Sequence, residues 1–307
     1  MIRLALVGYG KIAQDQHIPN ISTNPDFELT AIVSTSGSGP DHMPVYRTLD
    51  ALLAQQEIDA VVIATPALPR PAIARRALEA GLHVFLEKPP AVTLGDVEVM
   101  AAMARQHGCT LFTSWHAQAN PATTQAAAIV HSEGLAEMDI MWREDVEQWH
   151  PGQQWIWQPG GFGVMDAGIN ALSIAVALCP DPIRVEKARF VMHSSGLQPI
   201  SATLLARSGT QGRIEALFDW QYKAQPQWTI HVKTLAGSDI LLEEGGARFL
   251  RNGNLQPQTP DPLGEYRRLY AQFAALIHNG QSNIDVAPLR IVADMWLLAD
   301  HEAAKAL

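Results

Sequence analysis

Three stretches of this chain bring together residue types that could do chemistry. The first is Glu87-Lys88-Pro89-Pro90. Proline fixes the backbone torsion at its own position, so a lysine beside two prolines points in a set direction and can orient a hydroxyl or stabilise negative charge. The second is Asp166-Ala167-Gly168-Ile169-Asn170, at the start of a predicted helix, where residues four apart share a face. Asp166 stands in apolar sequence, unlike an ordinary surface carboxylate. A carboxylate is already deprotonated at neutral pH and can accept a proton, whereas the Asn170 amide cannot. The third is Trp142-Arg143-Glu144-Asp145 followed by Trp149-His150-Pro151-Gly152-Gln153-Gln154-Trp155-Ile156-Trp157, a run that holds four of the eight tryptophans. Indole faces stack on the C–H faces of sugars, and Glu144 and His150 can bind hydroxyls. Each stretch also has a plainer reading: a solvated Glu-Lys pair in a proline turn, a helix N-cap, or aromatics packed into an interface.

Two further residues join these candidates. His116, in Thr113-Ser114-Trp115-His116, follows a predicted strand and is expected on the substrate side, against the alternative of a structural histidine. Trp228, in a strand-like segment, would line a sugar pocket or pack in a core. His17, His42, His131 and His231 carry no pattern, and no metal-ligand spacing appears.

The chemistry these groups could serve is set by the first residues of the chain. Met1 to Val7 reads as a strand that runs into Gly8-Tyr9-Gly10-Lys11-Ile12-Ala13. Gly8 permits a tight turn, Gly10 lets the backbone approach a pyrophosphate, and Ala13 keeps the next helix close to the strand. The N–H groups at the helix start would then face the anion. Binding of a dinucleotide implies borrowed chemistry, above all hydride transfer. The cofactor positions expected are Gly8, Gly10, Lys11, Ile12, Ala13, Ser34, Thr35, Thr65, Pro66, Glu87 and Lys88. The second strand ends in Val33-Ser34-Thr35-Ser36-Gly37-Ser38, with no acid before Asp41. An acid there would repel a 2′-phosphate, so NADP is the expected cofactor, with NAD also accepted. That stretch holds no arginine for a phosphate clamp, which leaves Lys11 as the nearby cation.

These residues need a scaffold, and the pattern supplies one. Strands are predicted at 2–7, 28–34, 60–65, 83–86 and 110–114, and helices at 11–22, 49–56, 70–80 and 94–107. Short Val- and Ile-rich runs separated by helices mean a parallel sheet covered on both faces. After residue 118 the pattern changes. Helices are expected at 120–134, 164–178, 264–279 and 288–306. Strands are expected at 136–143, 184–193, 201–208, 212–220, 227–235, 238–243 and 246–251, with a Trp- and Gly-rich loop over 145–163. The fold class is therefore an α/β doubly wound parallel sheet of Rossmann type over 1–118, plus an α+β domain with a largely antiparallel open sheet over 119–307. The last helix is a candidate to return to the first domain.

Composition narrows the function class. The 307 residues are 47% hydrophobic and 17% charged with a net charge of −9, which speaks against nucleic acid and against an anionic membrane surface. Cys109 and Cys179 are too few for a disulfide framework or a cysteine metal site. The longest apolar run, 169–179, is too short to span a bilayer. Arg3 inside the first strand does not fit a secretory signal. A cytoplasmic enzyme is the expectation.

In order and spacing, Gly8–Ala13, Glu87-Lys88-Pro89 and Asp166-x-x-x-Asn170 resemble the glucose–fructose oxidoreductase/inositol dehydrogenase family along essentially the whole chain. The stretches Asp145-Val146, His150–Trp157 and Asp166–Asn170 are more similar to the bacterial L-arabinose/D-galactose 1-dehydrogenase group within it. The resemblance implies a lysine at Lys88 near the reacting carbon. It also implies a histidine where this chain has Asn170, so the proton acceptor must be Asp166 or Lys88. On that footing the expected reaction is oxidation of a pyranose C1 hydroxyl to the aldonolactone. Asp166 would be the base, Lys88 would stabilise charge and Asn170 would hold the C1 oxygen. Glu144, His150, His116, Trp149 and Trp228 would bind the rest of the sugar. Homo-oligomers through the second domain's sheet are also implied. Three rivals stand beside this reading: a non-catalytic sugar sensor, an NAD-dependent glycosidase, and a cyclitol or polyol dehydrogenase.

Overall fold

The computed structural model describes residues 1–257 and 264–303. Its first elements are β1 (Ile2–Val7), α1 (Ile18–Ser22), β2 (Phe27–Val33), β3 (Val45–Tyr46), α2 (Leu49–Leu53), β4 (Ala60–Ile63), α3 (Arg70–Glu79), β5 (His83–Glu87), α4 (Leu94–His107) and β6 (Leu111–Ser114). Then come α5 (Pro121–Glu133), β7 (Leu135–Arg143), α6 (Val146–Trp149), α7 (Met165–Leu178), β8 (Ile183–Met192), β9 (Pro199–Ser208), β10 (Gly212–Asp219) and β11 (Gln227–Thr234). The last are β12 (Asp239–Glu243), β13 (Arg248–Arg251), β14 (Asn254–Leu255), α8 (Gly264–His278), α9 (Ala287–Leu298) and β15 (Ala299–Ala303). A π-helical stretch, Ala13–His17, leads directly into α1.

Contacts gather the chain into two units. One holds Met1–His116 with the described part of Asp261–Val286, and the other holds the described residues of Ala117–Pro260 and Ala287–Leu307. The first unit is a six-stranded parallel sheet in the order β3-β2-β1-β4-β5-β6. The chain winds outward in both directions from β1, so the carboxyl ends of β1 and its neighbours form the crevice where such sheets hold ligands. All four residues of β4 are buried, as a strand covered on both faces requires. Helix α4 is closed at both ends. Thr93 accepts from Asp96 N at 3.2 Å, and Gly108 takes φ +66° after the last turn.

The division differs from a single break after residue 118. Helix α8 belongs to the first unit because it carries an aromatic face into that core. Tyr270 stacks on Phe85 at 5.2 Å, and Phe273 stacks on Phe27 at 5.8 Å. Tyr270 and Phe273 are fully buried, and each such side chain stabilises by about 1.5–3 kcal/mol. The last helix, α9, does not join the first domain; it packs on β8 and α7 within the second unit. The predicted helix over 288–306 ends at Leu298, and residues 299–303 form β15, parallel to β8. Residues 304–306 of that prediction lie outside the described residues. The open hydrogen-bonding edge of β8 overrides helix propensity here, aided by an Arg189–Glu302 ion pair and by Phe190 against Trp296 and His301.

The second unit is a nine-stranded sheet in the order β14-β13-β12-β11-β7-β10-β9-β8-β15. Its pairs are antiparallel except β7 with β10 and β8 with β15. Alternating burial along β7 shows one face covered and one open. Helices α5, α7 and α9 form a layer with the sheet. Gly168 of α7 allows a close approach, since a methyl there would lie 2.8 Å from the Phe218 ring on β10.

The turn after β1 admits only glycine at Gly8. Gly8 has φ +99°, and a methyl there would lie 3.0 Å from the Ala64 carbonyl carbon. Gly8→Ala should therefore lower the unfolding free energy by about 1–3 kcal/mol, checked by urea denaturation of both proteins.

Candidate active site

Gly8, Gly10 and Ala13 stand as a dinucleotide cradle requires. A methyl on Gly10 would meet nothing within 4 Å, so the backbone there faces open space. Ala13 is fully buried, which keeps the helix on the strand, while Lys11 and Ile12 are exposed at the helix start. Gly8 N donates to Val33 O at 2.8 Å and so ties the turn to the end of β2, beside Ser34 and Thr35. Ser34 is buried and Thr35 exposed. Thr65 and Pro66 follow β4 at the same end of the sheet. These residues fit a bound nicotinamide dinucleotide, which would supply the hydride acceptor. Lys11 forms an ion pair with Asp15 one helical turn on.

The Glu87-Lys88-Pro89 turn is fixed from below by Arg70. This buried guanidinium at the start of α3 donates to the carbonyls of Thr65, Glu87 and Pro89. It occupies the same helix face as Ala74 and Ala77, both buried. A charged residue at a core position of the helical pattern was the signal that could have found it. Lys88 is half-buried, and the Lys88–Pro89 peptide is cis.

Glu87 points inward, and its surroundings were not legible from any motif. Its Oε1 accepts from the Tyr266 hydroxyl at 2.7 Å, and its Oε2 accepts from Lys88 N at 3.0 Å. His17 Nε2 lies 3.2 Å from Oε1. Burial alone would raise the carboxyl. The His17 contact, the nearby His116 charge and the Tyr266 hydroxyl outweigh it and hold Glu87 down at about 2. Burial and the charge of Glu87 push Tyr266 well above its ordinary value, so it remains a hydroxyl donor. His17 reaches this network from the π-helical stretch, and its Nδ1 meets the Tyr270 hydroxyl at 2.7 Å.

His116 meets the same cluster. Its Nδ1 lies 2.6 Å from Glu265 Oε2, and its ring stacks on Tyr266 at 5.7 Å. Burial works to lower its pKa, but the Glu265 hydrogen bond and charge, with Glu87, raise it above 6.5 against the opposing charge of Lys88. Glu265 and Tyr266 come from α8, far along the chain, which is why sequence reasoning missed them.

In the second unit Glu144 is buried at the end of β7. Its two oxygens accept from the indoles of Trp220 at 3.0 Å and Trp228 at 2.7 Å. Trp228 stacks on Trp142 at 6.1 Å and lies 5.2 Å from Trp149, which is 43% exposed. This wall opens on a groove of about 960 Å³ that also meets Gln148 and Gln227. His150 tilts against Trp220 at 5.2 Å, and its Nε2 is 3.8 Å from Asp166 Oδ2. Asp166 is buried in the first turn of α7 and does not cap it; no side chain caps that helix. Asn170 follows one turn later, half-buried. Contacts thus link Glu144, His150, Asp166, Trp149 and Trp228 in one cluster, of which Trp149 and Trp228 line the groove. The stretch before α7 is held by local strain: Phe162 has φ +69°, and a methyl on Gly163 would fall 2.2 Å from Pro199 O.

Residues 2–114 match the model of an oxidoreductase family with an NAD-binding Rossmann fold. Over 306 residues the chain is 39% identical to the galactose 1-dehydrogenase of Pseudomonas fluorescens, covering 99% of this chain and 98% of that one. The chain belongs to this oxidoreductase family. The crystal structure of the D-galactose-1-dehydrogenase protein from Rhizobium etli matches this member with a TM-score of 0.93 at 41% identity, covering 100% and 97% of the two chains. A more distant relative, D-xylose 1-dehydrogenase (NADP(+)) 2 of Haloferax volcanii, is 26% identical over 251 residues, or 77% of this chain and 75% of that one. Among the described residues no helix of this family member is long and apolar enough to cross a membrane.

The His116–Glu265 pair carries a pH signature. Because the folded-state pKa of His116 is raised, the stability it contributes is complete below about 6.5 and is lost as pH rises through the folded value. Glu265→Gln should move the His116 NMR titration midpoint downward. The stability difference between the two proteins should be largest in mild acid and should shrink at alkaline pH.

Proposed function

We propose that the protein is an NAD(P)-dependent aldose 1-dehydrogenase. It oxidises the C1 hydroxyl of L-arabinose- or D-galactose-type pyranoses to the aldonolactone. The observation that carries this reading is the end-to-end likeness to two galactose 1-dehydrogenases at 39% and 41% identity. The residues agree with it. Asp166, one helical turn before an amide that cannot take a proton, accepts the proton of the C1 hydroxyl. Lys88 supplies positive charge to the developing oxyanion, and the Arg70-anchored turn keeps it oriented. Asn170 holds the C1 oxygen. Glu144 and His150 accept from ring hydroxyls, His116 binds from its free ring edge, and Trp149 and Trp228 stack on the C–H face of the sugar. Asp166 takes the proton from the C1 oxygen, and the nicotinamide, when bound, would take the hydride from C1, so the sugar loses two electrons to the cofactor and the C1 hydroxyl becomes the lactone carbonyl.

NADP is the preferred cofactor in this proposal, with NAD also used, because the loop after β2 carries hydroxyls and no acid. A distant relative whose name includes NADP(+) supports it. The enzyme acts in the cytoplasm, without nucleic-acid or membrane partners. Two copies pair through the open face of the nine-stranded sheet, where Met141, Leu205 and Leu217 are half-buried.

The test is a panel of aldoses and polyols with NAD and NADP, followed at the reduced-nicotinamide absorbance. D-Galactose and L-arabinose should be oxidised far better than glucose, and any preference for myo-inositol would sink the reading. No net reduction with any sugar would favour a sensor. Asp166→Asn should cut turnover by roughly 10²-fold or more while NADP binding survives. Near-normal turnover in that variant would hand the proton to Lys88.

A further inference from the structure

The loop after β2 lacks both an acid and an arginine in sequence, yet an arginine stands beside it. Strand β3 lies parallel to β2, with Ile32 opposite Val45 and Val33 opposite Tyr46. Ser34 N donates to Tyr46 O at 2.8 Å. The next residue on that side, Arg47, therefore emerges at the same edge of the sheet as Ser34 and Thr35. Its Nη1 donates to Thr35 O at 2.6 Å. Its Nη2 passes Gly37 so closely that a methyl there would lie 3.3 Å away, at a backbone φ of +77°. The hydroxyls of the loop form a chain: Ser34 Oγ is 2.9 Å from Ser36 Oγ, and Ser36 Oγ is 3.0 Å from Ser38 Oγ.

The neighbouring cations of this unit are committed elsewhere. Lys11 pairs with Asp15, and Arg76 with Asp50. Among the described residues no carboxylate pairs with Arg47, which is exposed. A guanidinium has five N–H donors in a planar fork, and one is used on Thr35. The remaining donors, with hydroxyls alongside, match a phosphate monoester, which guanidinium forks bind bidentately. The tie from Gly8 to Val33 sets this loop at the adenosine-ribose end of a dinucleotide whose pyrophosphate lies on Gly8–Ala13.

We propose that Arg47 is the 2′-phosphate ligand of this chain and sets its preference for NADP over NAD. The assignment rests on the dinucleotide reading above. With a 2′-hydroxyl in place of the phosphate, Arg47 stays on the Thr35 carbonyl and nothing repels the ribose, so NAD loses the clamp without meeting a penalty.

Adenosine 2′,5′-bisphosphate and 5′-AMP isolate this contact from turnover. The full-length protein and its Arg47→Ala and Arg47→Lys variants would be titrated with each, without sugar, by calorimetry. Wild type should bind the bisphosphate more tightly. Arg47→Ala should weaken bisphosphate binding by about 10- to 100-fold, as expected for a hydrogen-bonded charge, and change 5′-AMP binding by less than about threefold. Arg47→Lys should fall between, keeping charge without the fork. Added salt should shrink the wild-type difference. Equal losses for both nucleotides would overturn the assignment, showing that Arg47 only braces the loop, and so would no loss for either. In those two cases wild-type binding of both nucleotides leaves the cofactor reading standing. Failure of wild type to bind either nucleotide would overturn both.

Discussion

One buried cation organises the ends of β4 and β5 in the first unit. Arg70 gives its guanidinium to three carbonyls, at Thr65 after β4 and at Glu87 and Pro89 at and beyond the end of β5. Burying an arginine costs several kcal/mol by order of magnitude, and only close hydrogen bonding offsets that cost. Here the bonding also does structural work, because it draws the ends of two adjacent parallel strands onto one rigid fork. The turn that carries Lys88 is therefore part of the core. Glu87 directs a second set of contacts inward, to Tyr266 and His17, and so connects that turn to α8 and to the π-helical stretch before α1. A buried carboxylate held by hydroxyl, amide and imidazole stays ionised, and its charge in turn favours the charged form of His116.

The second unit solves the same problem by different means. Glu144 is buried with indole N–H groups on both oxygens. Two of the roughly four lone-pair sites of this carboxylate are thereby taken by indole donors. The same bonds fix the tilt of Trp228, which then sets the stack with Trp142 and Trp149. Aromatic surface and acceptor are thus one assembly, suited to a ligand with an apolar face and a polar rim. His150 Nε2 stands 3.8 Å from Asp166 Oδ2. A histidine thus stands near the carboxylate although none lies on its helix face.

Much of this architecture was legible in the chain. Glycine spacing after an apolar strand dictates the cradle, since only glycine tolerates φ +99° against the Ala64 backbone. Periodicity located β1, β2, β4, β5 and β6 and the helices between them, because strands buried on both faces read as continuous Val and Ile runs. The density of tryptophan and carboxylate over 142–157 marked the surface that forms around Glu144, and the Asp166–Asn170 spacing marked one helix face. Strand β15 was not legible. Ala299-Asp300-His301-Glu302-Ala303 has helical composition, and only the free edge of β8 makes it a strand.

What the sequence alone determined was therefore local: turn chemistry, periodicity, and the residue types within one stretch. What tertiary structure decided was which distant groups meet. Glu265 and Tyr266 join His116 and Glu87 across about half of the chain because the aromatic face of α8 belongs to the core of the first unit. Arg47 stands beside Thr35 because a two-residue strand pairs with β2, a register set by backbone hydrogen bonds that leave no periodic trace in so short a run. Charge networks of this kind are made by partners far apart in the chain. Their physics is short-ranged in space and indifferent to sequence separation, so a motif can name one partner and only the fold supplies the other.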